Sequence, residues 1–345
     1  MPPVALYGAG TLGRLIGSSF ETGFVWIDDT PSKSGTLIDG HSVVSLEDFA
    51  CEQDIDQALV YICIYQPGFS FLRLRDEIRR RHPHLAVRPF TDLLFGSASE
   101  RLPYLFFELP SAVEEKLPKY ARVAAKLSDE LSRETLTGHL RLRMTGEFDA
   151  VVWTSRNDIP FIVDRLSPEL TYFDVGAFDG DTVEDFIAIS GGCFRHIVVI
   201  EPDAENLSRA KARLTESDYA AKITYRQVVI SSSRGQLGFR ADGNMGSQLD
   251  PLAIQTVPSL LLSDLKCDGN TYIKLDIEGS EISALREASS YLTVQKPLLA
   301  VSVYHRPDDL LDAVDILTSF PGYELYLRCH GESGEDLMLY AVPAG

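Results

Sequence analysis

The sequence has 345 residues, of which 45% are hydrophobic and 24% charged, as in ordinary globular proteins. Its net charge of −18 argues against a nucleic-acid partner, because such proteins carry basic surfaces. No apolar stretch reaches the roughly 18 residues that a membrane span needs, and the N-terminus lacks a signal-peptide pattern. The five cysteines are scattered without a C-x-x-C pair, which favours a reducing, cytoplasmic location.

Residues 1–95 alternate short apolar runs with helical patterns, which predicts a Rossmann-like α/β domain. Near its start, Tyr7-Gly8-Ala9-Gly10-Thr11-Leu12-Gly13 has G-x-G-x-x-G spacing between a predicted strand and a predicted helix. Glycines at such a turn let a pyrophosphate approach the backbone, and an acidic residue after the next strand can contact a ribose. We therefore predict a nucleotide site made of Gly8, Gly10, Gly13 and Asp28.

Three interpretations of this domain stay open. It could bind a nucleotide or nucleotide-sugar, serve a structural or dimerising role, or support NAD-linked redox chemistry. Residues 96–169 follow as a predicted helical connector, with helical apolar spacing from Val113 to Leu131 and from Leu136 to Met144. The sequence leaves the oligomeric state open.

Residues 170–345 predict a second Rossmann-like domain. Apolar runs mark seven strands, and helical patterns follow the early ones, which indicates parallel pairing. The last two strands are joined by a polar segment with two glycines, which predicts a terminal antiparallel hairpin. We expect strands at 170–175, 196–200, 223–230, 272–276, 298–304, 323–328 and 337–342. This pattern is typical of the class I methyltransferase sheet.

A glycine turn follows the first of these strands, in the run Asp174-Val175-Gly176-Ala177-Phe178-Asp179-Gly180-Asp181. Three carboxylates at one turn would repel a pyrophosphate, so the turn favours a ligand with cationic groups. S-adenosylmethionine (SAM), with its ammonium and sulfonium, fits this requirement. Glu201 ends the next strand, where a carboxylate can accept hydrogen bonds from both ribose hydroxyls. The predicted cofactor residues are Asp174, Gly176, Phe178, Asp179, Gly180, Glu201, Pro202 and Val229.

Two later strand ends carry the predicted reaction chemistry. Asp276 and Glu278 follow the fourth strand and could orient an acceptor hydroxyl, bind the cofactor's ammonium, or hold a divalent cation, although we assign no metal ligand. Glu281 could instead belong only to a helix start. His305 follows the fifth strand and could remove a proton. His330, in the hairpin, is a second candidate. The predicted catalytic residues are His305, Asp276 and Glu278.

The motifs D-V-G-A-F-D-G-D-T, I-E-P-D, Y-I-K-L-D-I-E-G-S-E and V-Y-H-R-P occur in an order that resembles the FkbM family of SAM-dependent methyltransferases. The resemblance covers about residues 155–342 and implies O-methyl transfer to a hydroxyl of a sugar, glycoconjugate or natural product. It implies that Asp174, Gly176 and Glu201 bind SAM and that the Asp276–Glu278 segment and His305 face the acceptor. Cys329 departs from the expected pattern, which has a histidine there.

The run from Gly35 to Val43 is similar to the nucleotide-sugar-binding domain of bacterial sugar acetyltransferases. This similarity implies a nucleotide-sugar partner for the first domain, besides a small-molecule or saccharide acceptor at the second. Two other functions stay open: an NAD(P)-linked oxidoreductase, and a non-catalytic nucleotide-sugar-binding protein with an inactive second domain.

Overall fold

The computed structural model describes residues 3–20, 23–51, 58–241, 248–250, 252–265 and 270–344. The chain forms two compact units, each made of three chain segments. Unit 1 comprises Met1–Pro118, Glu134–Trp153 and Gly331–Asp336. Unit 2 comprises Lys119–Arg133, Thr154–His330 and Leu337–Gly345. Within the described residues, no helix is both long and apolar enough to cross a lipid bilayer.

Unit 1 contains a six-stranded sheet in the order β3-β4-β2-β1-β5-β6. Its strands are β1 (Val4–Tyr7), β2 (Val25–Ile27), β3 (Leu37–Ile38), β4 (His41–Val44), β5 (Leu59–Ile62) and β6 (Ala86–Pro89). Neighbouring strands are parallel except β3 and β4, which form an antiparallel pair that the sequence did not predict. The helices that begin in this part of the chain are α1 (Thr11–Gly17), α2 (Leu46–Ala50), α3 (Phe71–Arg81), α4 (Phe90–Leu94) and α5 (Pro110–Ala124).

The predicted helix from Val113 to Leu131 is interrupted. Helix α5 ends at Ala124, and α6 (Glu130–Thr145) begins after a break. In the break, Ser128 pairs with Leu325 of the C-terminal part of the chain, and the Asp129 carboxylate accepts hydrogen bonds from the backbone N–H of Ser132 at 2.9 Å and from its hydroxyl. A carboxylate in this position satisfies an N–H group that the first helical turn leaves free.

Unit 2 contains a seven-stranded sheet in the order β16-β17-β15-β14-β7-β8-β9. Its strands are β7 (Thr171–Val175), β8 (His196–Ile200), β9 (Ile223–Arg226), β14 (Thr271–Leu275), β15 (Leu298–Ser302), β16 (Tyr323–Cys329) and β17 (Leu337–Pro343). Strand β17 runs antiparallel to both of its neighbours, β15 and β16. The predicted fold class is therefore confirmed, including the terminal hairpin.

Helices of unit 2 connect these strands, and a smaller sheet precedes β14. The helices are α7 (Pro160–Val163), α8 (Asp181–Ser190), α9 (Ala204–Leu214), α10 (Glu281–Glu287), α11 (Ser289–Gln295) and α12 (Asp309–Thr318). The small sheet, in the order β10-β13-β11-β12, consists of β10 (Val229–Ile230), β11 (Gly235–Arg240), β12 (Gln248–Leu249) and β13 (Thr256–Leu260). The predicted strand from Ile223 to Ile230 is thus two strands, because β9 pairs with β8 whereas β10 pairs with β13.

The central strands of unit 2 end level with one another. Every residue of β7 and of β15 is buried, as expected for parallel strands that are covered on both faces. In the register, Val175 at the end of β7 faces Ile200 of β8 on one side and Leu275 of β14 on the other. The loops after β7, β8 and β14 therefore emerge at one edge of the sheet.

Candidate active site

The strand order reverses at β7, since β8 lies on one side of it and β14 on the other. Loops that leave such a reversal point in opposite directions open a crevice, where open α/β sheets bind ligands. Asp174 lies near the end of β7, the loops after β8 and β14 carry Glu201 and Asp276, and β15 leads to His305 at the same edge. The structure thus brings both halves of the predicted site to the crevice.

Asp174 lies beneath the turn rather than in the crevice, because its side chain is completely buried. Its carboxylate accepts hydrogen bonds from Lys274 Nζ at 3.1 Å, from Thr182 Oγ1 at 2.5 Å and from the Tyr172 hydroxyl at 3.2 Å. Burial raises the pKa of this carboxyl, although the Lys274 ammonium opposes that shift. Asp174 therefore lies where it can hold the turn, and its role in cofactor binding stays a prediction.

The glycine turn touches the loop after β14. Gly176 has φ of +77°, and a Cβ atom on it would lie 1.6 Å from the backbone oxygen of Asp276. No side chain can replace this glycine without moving one of the two loops. Gly180 has φ of +86° and packs against Ala210 and Leu214. The predicted cofactor turn and the predicted acceptor loop are consequently in direct backbone contact.

The two other carboxylates of the turn are paired with arginines. Asp179 forms an ion pair with Arg213, and Asp181 forms one with Arg156 at 2.8 Å. One oxygen of Asp179, Oδ1, is buried without a hydrogen-bond partner among the described residues. The local excess of negative charge that the sequence indicated is therefore partly neutralised within unit 2 itself.

Glu201 lies at the end of β8 with only 5% of its surface exposed. Its carboxylate accepts the backbone N–H of Phe178 at 2.9 Å and that of Asp203 at 2.9 Å, one on each oxygen. Burial raises the pKa of Glu201 to about 7, and these N–H groups oppose the shift. The Asn206 side chain also donates to this carboxylate, so the protein occupies three of its roughly four acceptor sites and leaves one for a ribose hydroxyl.

The remaining predicted cofactor residues lie around Glu201 and at the start of the small sheet. The Arg209 guanidinium lies over the Phe178 ring, with its Cζ atom 5.4 Å from the ring centroid. The backbone of Phe178 has φ of +47°. Pro202 follows Glu201 and is half-buried. Val229 lies in β10, where it packs with Phe239 and Val257 in a small core.

His305 lies among three carboxylates. Its Nδ1 is 3.2 Å from Glu281 Oε1, and its Nε2 is 3.5 Å from Asp276 Oδ1 and 3.6 Å from Glu278 Oε2. Burial lowers the pKa of the imidazole, but the three carboxylates outweigh this effect and raise it to about 10. The structure therefore brings the predicted residues His305, Asp276 and Glu278 together. Glu281 lies beside them.

Glu278 occupies a strained turn next to this cluster. Its φ of +53° is unusual for a residue with a side chain, and Gly279 follows with φ of +88°. A Cβ atom on Gly279 would lie 2.9 Å from Nε of Arg306. Partial burial and repulsion by Asp276, Glu281 and Glu201 raise the pKa of Glu278 to about 7, although His305 opposes the shift.

Lys274 is a site residue that the sequence analysis missed. It is 7% exposed, and its ammonium donates to Asp174 Oδ1 at 3.1 Å and to the carbonyl of Gly176 at 3.0 Å. Asp276 Oδ2 lies 3.7 Å away. Burial disfavours the charge, but these carboxylates raise the pKa above its ordinary value. The signal was present, because a lysine inside the buried run Ile273-Lys274-Leu275 needs a carboxylate partner.

His330, the second predicted base, has partners on both ring nitrogens. Nδ1 lies 2.9 Å from the carbonyl of Thr154, and Nε2 lies 2.7 Å from the hydroxyl of Tyr340. The neighbouring Cys329 is buried at the end of β16, where its carbonyl accepts the N–H of Thr154. These contacts support the start of the hairpin.

The predicted nucleotide turn of unit 1 is present between β1 and α1. A Cβ on Gly13 would lie 1.9 Å from the carbonyl of Gly8, whereas one on Gly10 would meet nothing within 4 Å. Asp28 accepts the backbone N–H of Ala9 at 3.1 Å and the ammonium of Lys33 at 2.7 Å. Gly8 has φ of +106°, and a Cβ on it would lie 2.5 Å from the Ile64 side chain. Gly8, Gly13 and Asp28 therefore have a structural explanation, and nucleotide or nucleotide-sugar binding by unit 1 stays a prediction.

The sheet order of unit 2, with its single antiparallel strand next to the edge, is that of the class I methyltransferases. Residues 174–331 match the family model described as methyltransferase FkbM domain. The C-terminal half of the chain therefore carries an FkbM methyltransferase domain, as its motifs suggested, and the chain is a methyltransferase with the fold of the SAM-dependent enzymes.

One solved structure, which aligns with nearly the whole chain, has a similar fold. Methyltransferase FkbM from Methylobacillus flagellatus KT aligns with 98% of this chain and 89% of its own, with a TM-score of 0.74 and 24% identity. A putative O-methyltransferase from Klebsiella pneumoniae aligns with 66% of this chain and 96% of its own, with a TM-score of 0.36 and 13% identity. No curated protein sequence matches the chain significantly.

Proposed function

We propose that the protein transfers the methyl group of SAM to a hydroxyl of a sugar, glycoconjugate or natural product. The observation that carries this proposal is the contact between two loops. The Gly176 turn, which would hold the donor, touches the Asp276 loop, which carries the acidic cluster around His305. A donor and an acceptor bound to these loops would be neighbours. The FkbM domain favours methyl transfer over the NAD(P)-linked alternative.

The donor site centres on Glu201. Its buried carboxylate is held by two backbone N–H groups and by the Asn206 side chain, so its direction is fixed. We assign the ribose of SAM to the acceptor site that this carboxylate keeps. The backbone of the Gly176–Gly180 turn would then contact the methionine part of the cofactor, and Asp174 and Lys274 would hold that turn from below.

The acceptor hydroxyl would lie beside Asp276, Glu278 and His305. Its oxygen forms a bond to the methyl carbon while the carbon–sulfur bond breaks, which leaves S-adenosylhomocysteine. The hydroxyl proton would pass to a carboxylate of the cluster such as Glu278, because the pKa of His305 is about 10 and its imidazole is already protonated at neutral pH. Most of the acceleration would come from holding the oxygen and the methyl carbon in line at near-attack distance.

Calorimetric titration of S-adenosylhomocysteine into the full-length protein tests the donor site. We expect one binding site per chain and a loss of affinity of at least about tenfold in Glu201→Ala, since the charge-assisted hydrogen bonding to the ribose is removed. Glu205→Ala is the matched control, because this exposed glutamate lies in the first turn of α9 and forms an ion pair with Arg209. We expect it to bind like the wild type.

Turnover with radiolabelled SAM and a panel of saccharides tests the acceptor site. His305→Ala should lower methyl transfer while S-adenosylhomocysteine affinity stays near that of the wild type. If the wild type is folded and binds no S-adenosylhomocysteine, the proposed donor site is wrong. If His305→Ala and Asp276→Asn both keep full activity, the acceptor assignment is wrong.

A further inference from the structure

Three side chains of the acidic cluster converge on one point. Asp276 follows β14, Glu281 lies in the first turn of α10, and His305 follows β15. One possible ligand atom from each of them lies within 4.8 Å of the others. Exposed acidic groups often lie this close together without binding a metal ion. The burial and the hydrogen bonds of the individual oxygen atoms therefore decide whether the cluster can bind one.

Glu281 has an oxygen that the protein does not satisfy. The residue is completely buried, and its Oε1 accepts the backbone N–H of Ile277 at 2.7 Å. Its Oε2 is buried and has no hydrogen-bond partner among the described residues, and the same holds for Oδ1 of Asp276. A buried carboxylate oxygen without a donor is costly, which indicates that a positive group is missing from its surroundings.

The charges around His305 also indicate that a positive group is missing. With Glu278 at 3.6 Å, three carboxylates lie close to a single imidazole. Lys274 pairs with Asp276 at 3.7 Å but also donates hydrogen bonds to Asp174 and to the Gly176 carbonyl, so its single charge is shared between two carboxylates. The cluster therefore keeps an excess of negative charge in a buried place, where an unpaired charge is most costly.

We propose that Asp276, Glu281 and His305 bind one divalent metal ion in the acceptor site. Two ligands on opposite sides of such an ion lie roughly 4.2–4.4 Å apart, so small movements of these side chains would close the site. Two carboxylates and one imidazole form a mixed oxygen and nitrogen set, which suits Mn²⁺ or another first-row transition-metal ion better than Mg²⁺ or Ca²⁺, because the latter two prefer oxygen ligands.

The ion would leave coordination positions for oxygen atoms of the acceptor. This part rests on the proposed function, since it places the acceptor hydroxyl at the same cluster. The metal would then select acceptors that offer hydroxyl oxygens as ligands, and it would make the bound hydroxyl more acidic. A saccharide with neighbouring hydroxyl groups has the required chemistry.

Titration of Mn²⁺ into the full-length protein, with free Mn²⁺ followed by electron paramagnetic resonance, tests the site. We expect one ion per wild-type chain and an affinity at least about tenfold lower in Glu281→Gln and in Asp276→Asn, because each loses a charged ligand without losing its shape. Asp312→Asn is the matched control, because this exposed carboxylate of unit 2 pairs with Arg286. We expect it to bind Mn²⁺ like the wild type.

Each variant is also titrated with S-adenosylhomocysteine, which reports whether the domain is folded. Absence of a stoichiometric Mn²⁺ site in the wild type, or wild-type Mn²⁺ affinity in both Glu281→Gln and Asp276→Asn, would overturn the metal proposal. Intact S-adenosylhomocysteine binding in that case would leave the proposed function standing. Mn²⁺ binding without any S-adenosylhomocysteine binding would instead support the metal and contradict the proposed donor site.

Discussion

At the scale of single residues, the site depends on buried charges that hold one another. Lys274 joins Asp174 and the Gly176 carbonyl, and Asp276 lies beside it. A pair of this kind adds little stability by itself, but removal of one partner leaves an uncompensated buried charge. The turn is therefore held in place by groups that need not touch a ligand.

Glu201 makes donor binding depend on pH. Its pKa of about 7 means that the carboxyl is ionised above neutrality and increasingly protonated below it. A protonated carboxyl is a weaker acceptor for the ribose hydroxyls. We therefore expect S-adenosylhomocysteine affinity to fall about tenfold between about pH 8 and about pH 6. Calorimetry across this range measures the effect.

Glu201→Gln is the control for this pH profile, because an amide keeps the shape of the side chain but does not titrate. Its affinity should be lower than that of the wild type and constant over the same range. A parallel decline of wild type and variant would assign the pH dependence to another group.

At the scale of structural elements, the close approach of two loops is the feature that is most sensitive to substitution. Gly176→Ala would place a Cβ 1.6 Å from the carbonyl of Asp276 and would force a left-handed conformation on a residue with a side chain. We expect a loss of about 3 kcal/mol or more in unfolding free energy, measured with denaturant, together with weaker S-adenosylhomocysteine binding.

Gly191→Ala separates the two causes of this loss. Gly191 ends α8 with φ of +54°, but a Cβ there would meet nothing within 4 Å. Only the conformational cost remains, so we expect a loss of about 1 kcal/mol and unchanged ligand affinity. Equal losses in both variants would show that the contact with Asp276 is unimportant.

At the scale of the whole molecule, unit 1 is assembled from distant parts of the chain. Thr91 donates to the carbonyl of Gly146 at 2.9 Å, and the Phe71 and Phe148 rings lie 4.7 Å apart. The hydroxyl of Ser333 accepts the N–H of Phe71 at 3.1 Å. The predicted first domain, residues 1–95, therefore lacks partners that its own side chains use.

We expect the fragment 1–95 to lack a cooperative thermal transition, because its buried apolar surface and polar groups lose partners from the rest of unit 1. Circular dichroism during heating measures this property, with the full-length chain as the control. A sharp transition of the fragment at the temperature of the full-length protein would show that the first 95 residues fold independently.

Local patterns in the sequence predict the fold class and the strand ends at which the candidate active-site residues lie. Apolar runs of strand length alternate with helical patterns, and Gly176, Glu201, Asp276 and His305 each follow such a run. These signals are local, because the period of the apolar residues and the residue after a strand depend only on neighbours in the chain. The small sheet gave weaker signals, since β10 and β12 have two residues each.

The partners of the charged residues follow from the folded structure. Asp174 is buried next to Lys274, and Glu281, which the sequence explained equally well as part of a helix start, lies against His305. These partners are between 24 and 100 positions apart (305 − 281 and 274 − 174). Burial and charge pairing depend on residues that only the folded chain brings together, so composition and periodicity do not contain them.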